Sequence, residues 1–252
     1  MFSKIYKTLL TAGNILEKHW VRPQRTLLAA DGTPIKPADI EVNEYLTLDL
    51  QDKFSVPVVS EEHVIDWEAR KDYRDFWLLD PLNGRKEFTA RFGDFSICLT
   101  LIRKTKPLFG IIYAPALDLM YYAAQATGSF CFSKGKKRKI ELKNYTKRIG
   151  LVSRYANDQK IEEFFNINKI ESYLAVGGAL KFCYLAEGQG TVYVRYSGAK
   201  EWDVGAGDLI LREAGGTLIS LDEKKQLSYN NEDLLSPPFL AVSRGLDITS
   251  FK

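Results

Sequence analysis

Three acidic residues lie at positions where predicted strands or helices meet loops. Glu61 and Asp80 each follow a short apolar run that predicts a buried strand, and Asp203 lies where a helix is predicted to begin. A strand fixes such a residue while the loop exposes it, and this placement is common in active sites. A solvated surface carboxylate is the alternative for each residue taken alone, and helix capping is a further alternative for Asp203.

The segment between Asp80 and Arg85 predicts a tight turn, because Pro81 and Gly84 bracket it. The backbone amides of Gly84 and Arg85 are positioned to receive a phosphate group. The turn also collects three oxygen-bearing groups, namely the carboxylate of Asp80, the carbonyl of Leu82 and the side chain of Asn83. Oxygen atoms are the ligands that Mg²⁺ prefers, so the segment predicts a Mg²⁺ and phosphate site.

The composition is that of an ordinary globular protein. The chain has 252 residues, 45% of them apolar and 27% charged, with a formal net charge of +3. This length suits one large α/β domain or two packed halves. Cys98, Cys131 and Cys183 are odd in number and lie among apolar neighbours, which predicts reduced, buried thiols. The chain lacks a secretory signal pattern and a long apolar run, so we expect no membrane span and a cytoplasmic location.

Two other classes of function have little support in the sequence. The basic run over residues 134–139 contains Gly135 and lies between two strand-like runs, so we expect a solvated hairpin tip and no nucleic-acid partner. His19 and His63 are the only histidines and lie in no cysteine or histidine cluster. A zinc site or a histidine-based triad is therefore not expected.

Hydrophobic periodicity predicts an α and β protein in two parts. Residues 1–20 show the spacing of an amphipathic helix, and residues 95–124 predict an antiparallel meander. Beyond residue 148 strands and helices alternate. We therefore expect an N-terminal α+β domain over residues 1–147, and a C-terminal α/β domain over residues 148–252 that completes the site.

Several motifs in the same order resemble those of the CysQ-type 3'(2'),5'-bisphosphate nucleotidases, within the inositol-monophosphatase-like superfamily. The resemblance covers nearly the whole chain, and it implies a layered αβαβα sandwich of α+β and α/β type with two subdomains. It is carried by residues 31–39, 58–62, 77–88, 110–115, 152–154, 180–188 and 201–216.

The resemblance implies a Mg²⁺-dependent phosphomonoesterase in which a metal-bound water attacks phosphorus. Its implied reaction converts 3'-phosphoadenosine 5'-phosphate to AMP, or the corresponding 5'-phosphosulfate to adenosine 5'-phosphosulfate. The implied metal ligands are Glu61, Asp80, Leu82, Asn83 and Asp203, and the implied catalytic positions are Asp39, Glu61 and Arg85. The implied substrate-binding residues are Leu82, Asn83, Gly84, Arg85, Ser153, Lys181, Arg195 and Asp203.

Three residues depart from the family pattern at this site. Asn83 stands where the family has an aspartate, Arg85 stands where it has the catalytic threonine, and Lys36 replaces a further threonine. Together these changes add about +3 of formal charge. Asparagine does not offset the charge of a metal ion, and arginine cannot act as a base. Arg85 could instead hold a phosphate bidentately.

The residues implied in nucleotide recognition also differ from the family. Ala156 takes the place of a histidine, and Gly178 and Ala179 take the places of two serines. Two alternatives therefore stay open beside the bisphosphate nucleotidase. One is a catalytically impaired homologue that binds a phosphorylated ligand or partner protein without turnover. The other is a phosphatase for an inositol or sugar phosphate.

Overall fold

The structure, a computed structural model, describes residues 1–22, 27–28, 34–35, 37–141, 143–155 and 158–252. For residues 27–28 and 34–35 only the backbone is described. Lys36, Ala156 and the segment around Asp31 lie outside the described residues, so the expectations that concern them stay predictions.

The described residues form seven α-helices and sixteen strands. The helices are α1 (Phe2–Trp20), α2 (Pro37–Phe54), α3 (Trp67–Arg70), α4 (Arg85–Thr89), α5 (Gln159–Ile167), α6 (Leu180–Glu187) and α7 (Glu201–Glu213). The strands before residue 140 are β1 (Leu27–Leu28), β2 (Pro34–Ile35), β3 (Val58–Ser60), β4 (Asp75–Asn83), β5 (Ser96–Arg103), β6 (Lys106–Ala114), β7 (Leu119–Ala124), β8 (Gly128–Ser133) and β9 (Lys136–Lys139). The later strands are β10 (Ile149–Val152), β11 (Ser172–Ala175), β12 (Val192–Arg195), β13 (Ala199–Lys200), β14 (Thr217–Ser220), β15 (Leu235–Ser236) and β16 (Phe239–Val242).

The larger sheet contains seven strands in the order β3-β4-β5-β6-β7-β8-β9. Only β3 and β4 are parallel within it, and the other neighbours pair antiparallel, as the predicted meander requires. Alternate residues of β4 face opposite sides, because side chains alternate along a strand. Trp77 and Leu79 belong to the core formed with α1 and α2, whereas Phe76 and Leu78 belong to the core formed with α6 and α7.

The second sheet has five strands in the order β11-β10-β12-β16-β14. Tyr193 and Phe239 on one of its faces join the core around α6 and α7, while Val192 and Leu240 on the other face pack with Phe164 of α5. The layers therefore run α1 and α2, the seven-stranded sheet, α6 and α7, the five-stranded sheet, and α5. This arrangement confirms the expected αβαβα sandwich.

Helix α7 approaches β6 very closely in the central layer. A Cβ atom added at Gly110 would lie 2.9 Å from the Cα of Ala206 and 3.2 Å from its carbonyl oxygen. Both neighbours are backbone atoms, so only glycine allows this spacing. The close approach brings the start of α7, and with it Asp203, against the larger sheet.

Some boundaries differ from the sequence-based expectation. Helix α7 begins at Glu201, two residues before the predicted start at Asp203. The Glu201 carboxylate accepts hydrogen bonds from the backbone amides of Asn230 and Asn231 at 2.7 and 2.8 Å. Strand β4 continues through Asn83, whereas it was expected to end before Asp80. Strands β14 and β16 were not predicted.

Other expectations agree with the structure. The basic segment of residues 134–139 forms an exposed hairpin with β8, and the three cysteines are free and buried. Among the described residues no helix is long and apolar enough to cross a membrane. The division at residue 147 stays a prediction, although the strands of the two large sheets fall on either side of it.

Candidate functional site

Most of the predicted site residues line one open pocket of about 570 Å³. Those that line it are Glu61, Asp80, Leu82, Asn83, Gly84, Arg85, Ser153, Arg195 and Asp203. The pocket lies where the larger sheet, the start of α7 and the C-terminal ends of β10 and β12 in the second sheet meet. Asp39 and Lys181 are buried and do not line it. Asp39 nevertheless contacts the site through Arg85.

The parallel pair of β3 and β4 places the first two acidic residues. Val59 pairs with Leu78, so Glu61 and Asp80 emerge side by side at the ends of neighbouring buried runs. The register of β4 against β5 then shifts between Asp80 and Asn83. This irregularity, together with a 3.0 Å hydrogen bond that the Leu82 amide donates to Asp80 Oδ1, fixes the Asp80 carboxylate.

Asp203 reaches the same place from the first turn of α7. It is the third residue of the helix, whose N-cap is Lys200, so the helix-capping alternative does not describe it. Its Oδ1 atom accepts a 3.2 Å hydrogen bond from Asn83 Nδ2. Three segments that are distant in the sequence therefore bring Glu61, Asp80 and Asp203 to one pocket.

Asn83 bridges the two buried aspartates. Its Nδ2 atom donates to Asp80 Oδ2 at 2.8 Å and to Asp203 Oδ1 at 3.2 Å, while its Oδ1 atom accepts from the Ala179 amide at 2.6 Å. The orientation of the amide follows from this last bond, because a backbone N–H must face an oxygen atom. The oxygen of Asn83 therefore points away from the aspartates, and its NH₂ group points toward them.

Arg85 lies among three other carboxylates. Its Nε atom is 3.1 Å from Asp39 Oδ2, its Nη1 atom is 3.1 Å from Glu61 Oε1, and its Nη2 atom donates to Glu62. Glu62 was not predicted as a site residue. The signal in the sequence was its position directly after Glu61 at the end of a strand.

Clustering and burial perturb the acidic groups. Burial raises the pKa of Glu61 to about 7, with Arg85 opposing the shift and Asp203 adding to it. Burial, followed by the charges of Glu61 and Asp203, raises the pKa of Asp80 well above its usual range. Burial tends to lower the pKa of Arg85, but Glu61, Asp39 and Glu62 raise it on balance, so this side chain stays a cation.

The arrangement does not fit the two or three metal ions that the resemblance implies. Between Asp80 and Asp203 lies the NH₂ group of Asn83, a donor that repels a cation. Beside Glu61 lies the guanidinium of Arg85. In the part of the chain that the structure describes, no group of three Asp, Glu, His or Cys side chains is arranged to hold a metal ion.

Basic and aromatic side chains line another part of the pocket, together with Glu87 and Asp158. Arg195 lines the pocket together with Lys86, and the rings of Tyr155 and Tyr196 form part of its wall. Lys181 lies behind this wall, where its Nζ atom donates to the carbonyls of Val176 and Gly178 at 3.2 and 2.6 Å. Burial, followed by the charge of Arg195, lowers the pKa of Lys181 to about 8.

Asp94 holds the loop that orients Asn83. Its Oδ2 atom accepts hydrogen bonds from the Gly177 amide and from Arg154 Nε, each at 2.7 Å. Replacing it (Asp94→Ala) leaves the buried amide without a partner, so we expect the free energy of unfolding in urea to fall by about 2 kcal/mol. The matched control is Asp72→Ala at an exposed aspartate, expected to change it by less than about 0.5 kcal/mol. Equal stabilities for the two variants would contradict this role.

Comparisons with known proteins agree with the geometry. The sequence profile of the inositol monophosphatase family matches residues 2–246. The 3'(2'),5'-bisphosphate nucleotidase CysQ of Salmonella typhimurium is 31% identical over 243 residues, covering 95% of this chain and 98% of the relative. The CysQ of Haemophilus influenzae is 33% identical, covering 92% and 88%. The crystal structure of CysQ from Bacteroides thetaiotaomicron superposes with a TM-score of 0.85 at 28% identity, covering 97% of each chain. Phosphatases of this family are generally metal dependent.

Proposed function

Because this chain belongs to the inositol monophosphatase family, we propose that it is a phosphomonoesterase that acts on 3'-phosphoadenosine 5'-phosphate or a closely related bisphosphate nucleotide. The observation that carries the proposal is the convergence of Glu61, Asp80 and Asp203 on one pocket, in a chain that matches bisphosphate nucleotidases over 95% of its length. The resemblance implies all three as metal ligands and Glu61 as a catalytic position as well.

The lining of the pocket suits such a ligand. A volume of about 570 Å³ lies within the range of ordinary small-molecule sites, roughly 300–1,000 Å³. Arg195 and Lys86 offer positive charge for phosphate groups, and Tyr155 and Tyr196 offer aromatic surface for a base. We propose that the ligand lies along this wall, with one phosphate directed toward the backbone amides of Gly84 and Arg85, because the guanidinium of Arg85 is engaged by three carboxylates.

The chain's own residues have distinct parts in this proposal. Glu61 lines the pocket and is the proposed acceptor for a proton of the attacking water. Asp39 is buried beside Arg85, and its proposed part is to orient the guanidinium of Arg85. Arg195 is the proposed partner of the second phosphate. Mg²⁺ would neutralise charge on the phosphoryl group if it bound. The carboxylates of Glu61, Asp80 and Asp203 that would hold it are, however, already in contact with Asn83 or Arg85.

A second candidate function is supported by the same two residues. A homologue that binds the nucleotide without hydrolysing it would need the pocket but no metal-activated water. The ion pairs of Arg85 with Asp39, Glu61 and Glu62 favour this reading, since they neutralise the groups that would otherwise attract a metal ion. A cytoplasmic location stays a prediction for either function.

Phosphate release measured with purified protein tests the proposal. We expect the natural chain to release phosphate slowly from 3'-phosphoadenosine 5'-phosphate, and at least about tenfold more slowly from inositol 1-phosphate. The variant Asp80→Asn is expected to release phosphate from the nucleotide at least about tenfold more slowly than the natural chain. Nucleotide binding by calorimetry with no release would favour the second candidate. Faster release from inositol 1-phosphate than from the nucleotide would contradict the proposed substrate class.

A further inference from the structure

Two donors of the chain itself occupy the centre of the acidic site. One is the NH₂ group of Asn83, which lies between Asp80 and Asp203. The other is the guanidinium of Arg85, which lies among Asp39, Glu61 and Glu62. Together they contact five carboxylates, those of Asp39, Glu61, Glu62, Asp80 and Asp203. A bound cation would have to displace one or both of them.

The orientation of Asn83 is fixed from outside the acidic cluster. Its oxygen accepts the Ala179 amide at 2.6 Å, and rotating the side chain would leave that buried N–H without a partner. Gly178 makes room for this contact, because a Cβ atom at that position would lie 2.0 Å from Asn83 Oδ1. Gly178 also has a φ of +43°, which glycine adopts without strain. Asn83, Gly178 and Ala179 thus form one arrangement.

Arg85 is held from three directions. Its Nε, Nη1 and Nη2 atoms each lie within ion-pair distance of a different carboxylate, and the Nη2 atom also donates a hydrogen bond to Glu62. Removing Arg85 would take one positive charge away from the neighbourhood of Asp39, Glu61 and Glu62. The more negative site would favour a divalent cation.

We infer that Asn83 and Arg85 replace the divalent ions of this site, so that the protein binds a phosphate ester without a metal ion. The inference rests on the proposed function only in placing a phosphate ester in the pocket. Metal-free binding draws on Arg195 and Lys86, which line the same pocket and, among the described residues, form no ion pair with a carboxylate. In the natural chain the acidic residues then act as partners of Arg85 and Asn83 instead of metal ligands.

Calorimetric titration with Mg²⁺ alone, and separately with 3'-phosphoadenosine 5'-phosphate in EDTA, tests this inference. For the natural chain we expect no saturable Mg²⁺ binding below about 10 mM, and nucleotide binding that EDTA changes less than about twofold. The double variant Asn83→Asp with Arg85→Thr is expected to bind Mg²⁺ at least about tenfold more tightly. Arg103→Thr, which removes an arginine paired with Asp75 away from the pocket, is the matched control and is expected to behave as the natural chain.

Saturable Mg²⁺ binding by the natural chain at a micromolar concentration would overturn the inference, and so would nucleotide binding that EDTA abolishes. These results need no variant, so they stand even where the double variant fails to fold.

Gly178→Ala adds an independent measurement, because it displaces Asn83 while leaving every charged group in place. It is expected to tighten Mg²⁺ binding, and unchanged binding would count against the role of Asn83. If the natural chain binds the nucleotide in EDTA but releases no phosphate from it, that result would contradict the proposed phosphatase function and leave this inference standing.

Discussion

Replacing Asn83 with aspartate and Arg85 with threonine together is expected to raise Mg²⁺-dependent phosphate release from 3'-phosphoadenosine 5'-phosphate by at least about 100-fold, which corresponds to about 2.7 kcal/mol of barrier. The aspartate supplies a negative oxygen between Asp80 and Asp203 in place of an NH₂ group. The threonine releases Asp39 and Glu61 from the guanidinium. Both changes favour a bound divalent ion, which stabilises charge on the transferring phosphoryl group.

The single variants separate the two contributions. Each alone is expected to give less than the double, because either remaining donor still opposes a metal ion, and such neighbouring effects are not additive. Phosphate release is measured over a series of Mg²⁺ concentrations, with Arg103→Thr as the control that removes a positive charge elsewhere. A double variant that binds Mg²⁺ but releases phosphate no faster than the natural chain would contradict the prediction.

Replacing Gly110 with valine is expected to destabilise the protein by at least about 3 kcal/mol. The first added carbon alone would lie 2.9 Å from the Cα of Ala206, and backbone atoms cannot move aside as a flexible side chain can. Helix α7 must therefore shift away from β6. Because Asp203 lies in the first turn of α7, we also expect nucleotide affinity to fall in any folded fraction.

Urea denaturation measures the change in the free energy of unfolding. The control is Gly135→Ala at the hairpin tip, where no atom lies within 4 Å of the added methyl group. Its cost is the strain of a φ of +72°, about 1 kcal/mol. A Gly110→Val protein as stable as this control would show that the contact between α7 and β6 is not tightly packed.

Many of the helices and strands were predicted well because they carry strong local signals, whereas the layered arrangement was implied by the family resemblance. The amphipathic spacing of residues 1–20 and the antiparallel meander after Phe95 are properties of short segments, and both are confirmed. Strand β16 was not predicted, although its residues are apolar, because its neighbours β12 and β14 are distant in the sequence. A short apolar segment is recognised as a strand when the strands that pair with it are known, and a single sequence does not show which segments pair.

The residues of the candidate site were predicted more fully than their contacts. The resemblance named Asn83 and Arg85 as departures, and their positions followed from the motif around Asp80. What the sequence did not indicate was that the Asn83 oxygen would face the Ala179 amide, 96 positions further along the chain. Such contacts depend on how separate loops pack, which no local pattern encodes.

The absence of a Cβ atom at Gly178 makes the residue allowed at this position depend on the side chain at position 83. A residue with a Cβ atom cannot coexist with Asn83 in its present rotamer, because the two would overlap at 2.0 Å. The serine that the resemblance implies at this position therefore requires the side chain at position 83 to take another rotamer. Aspartate has the shape of asparagine, so this requirement holds whichever of the two positions changes first.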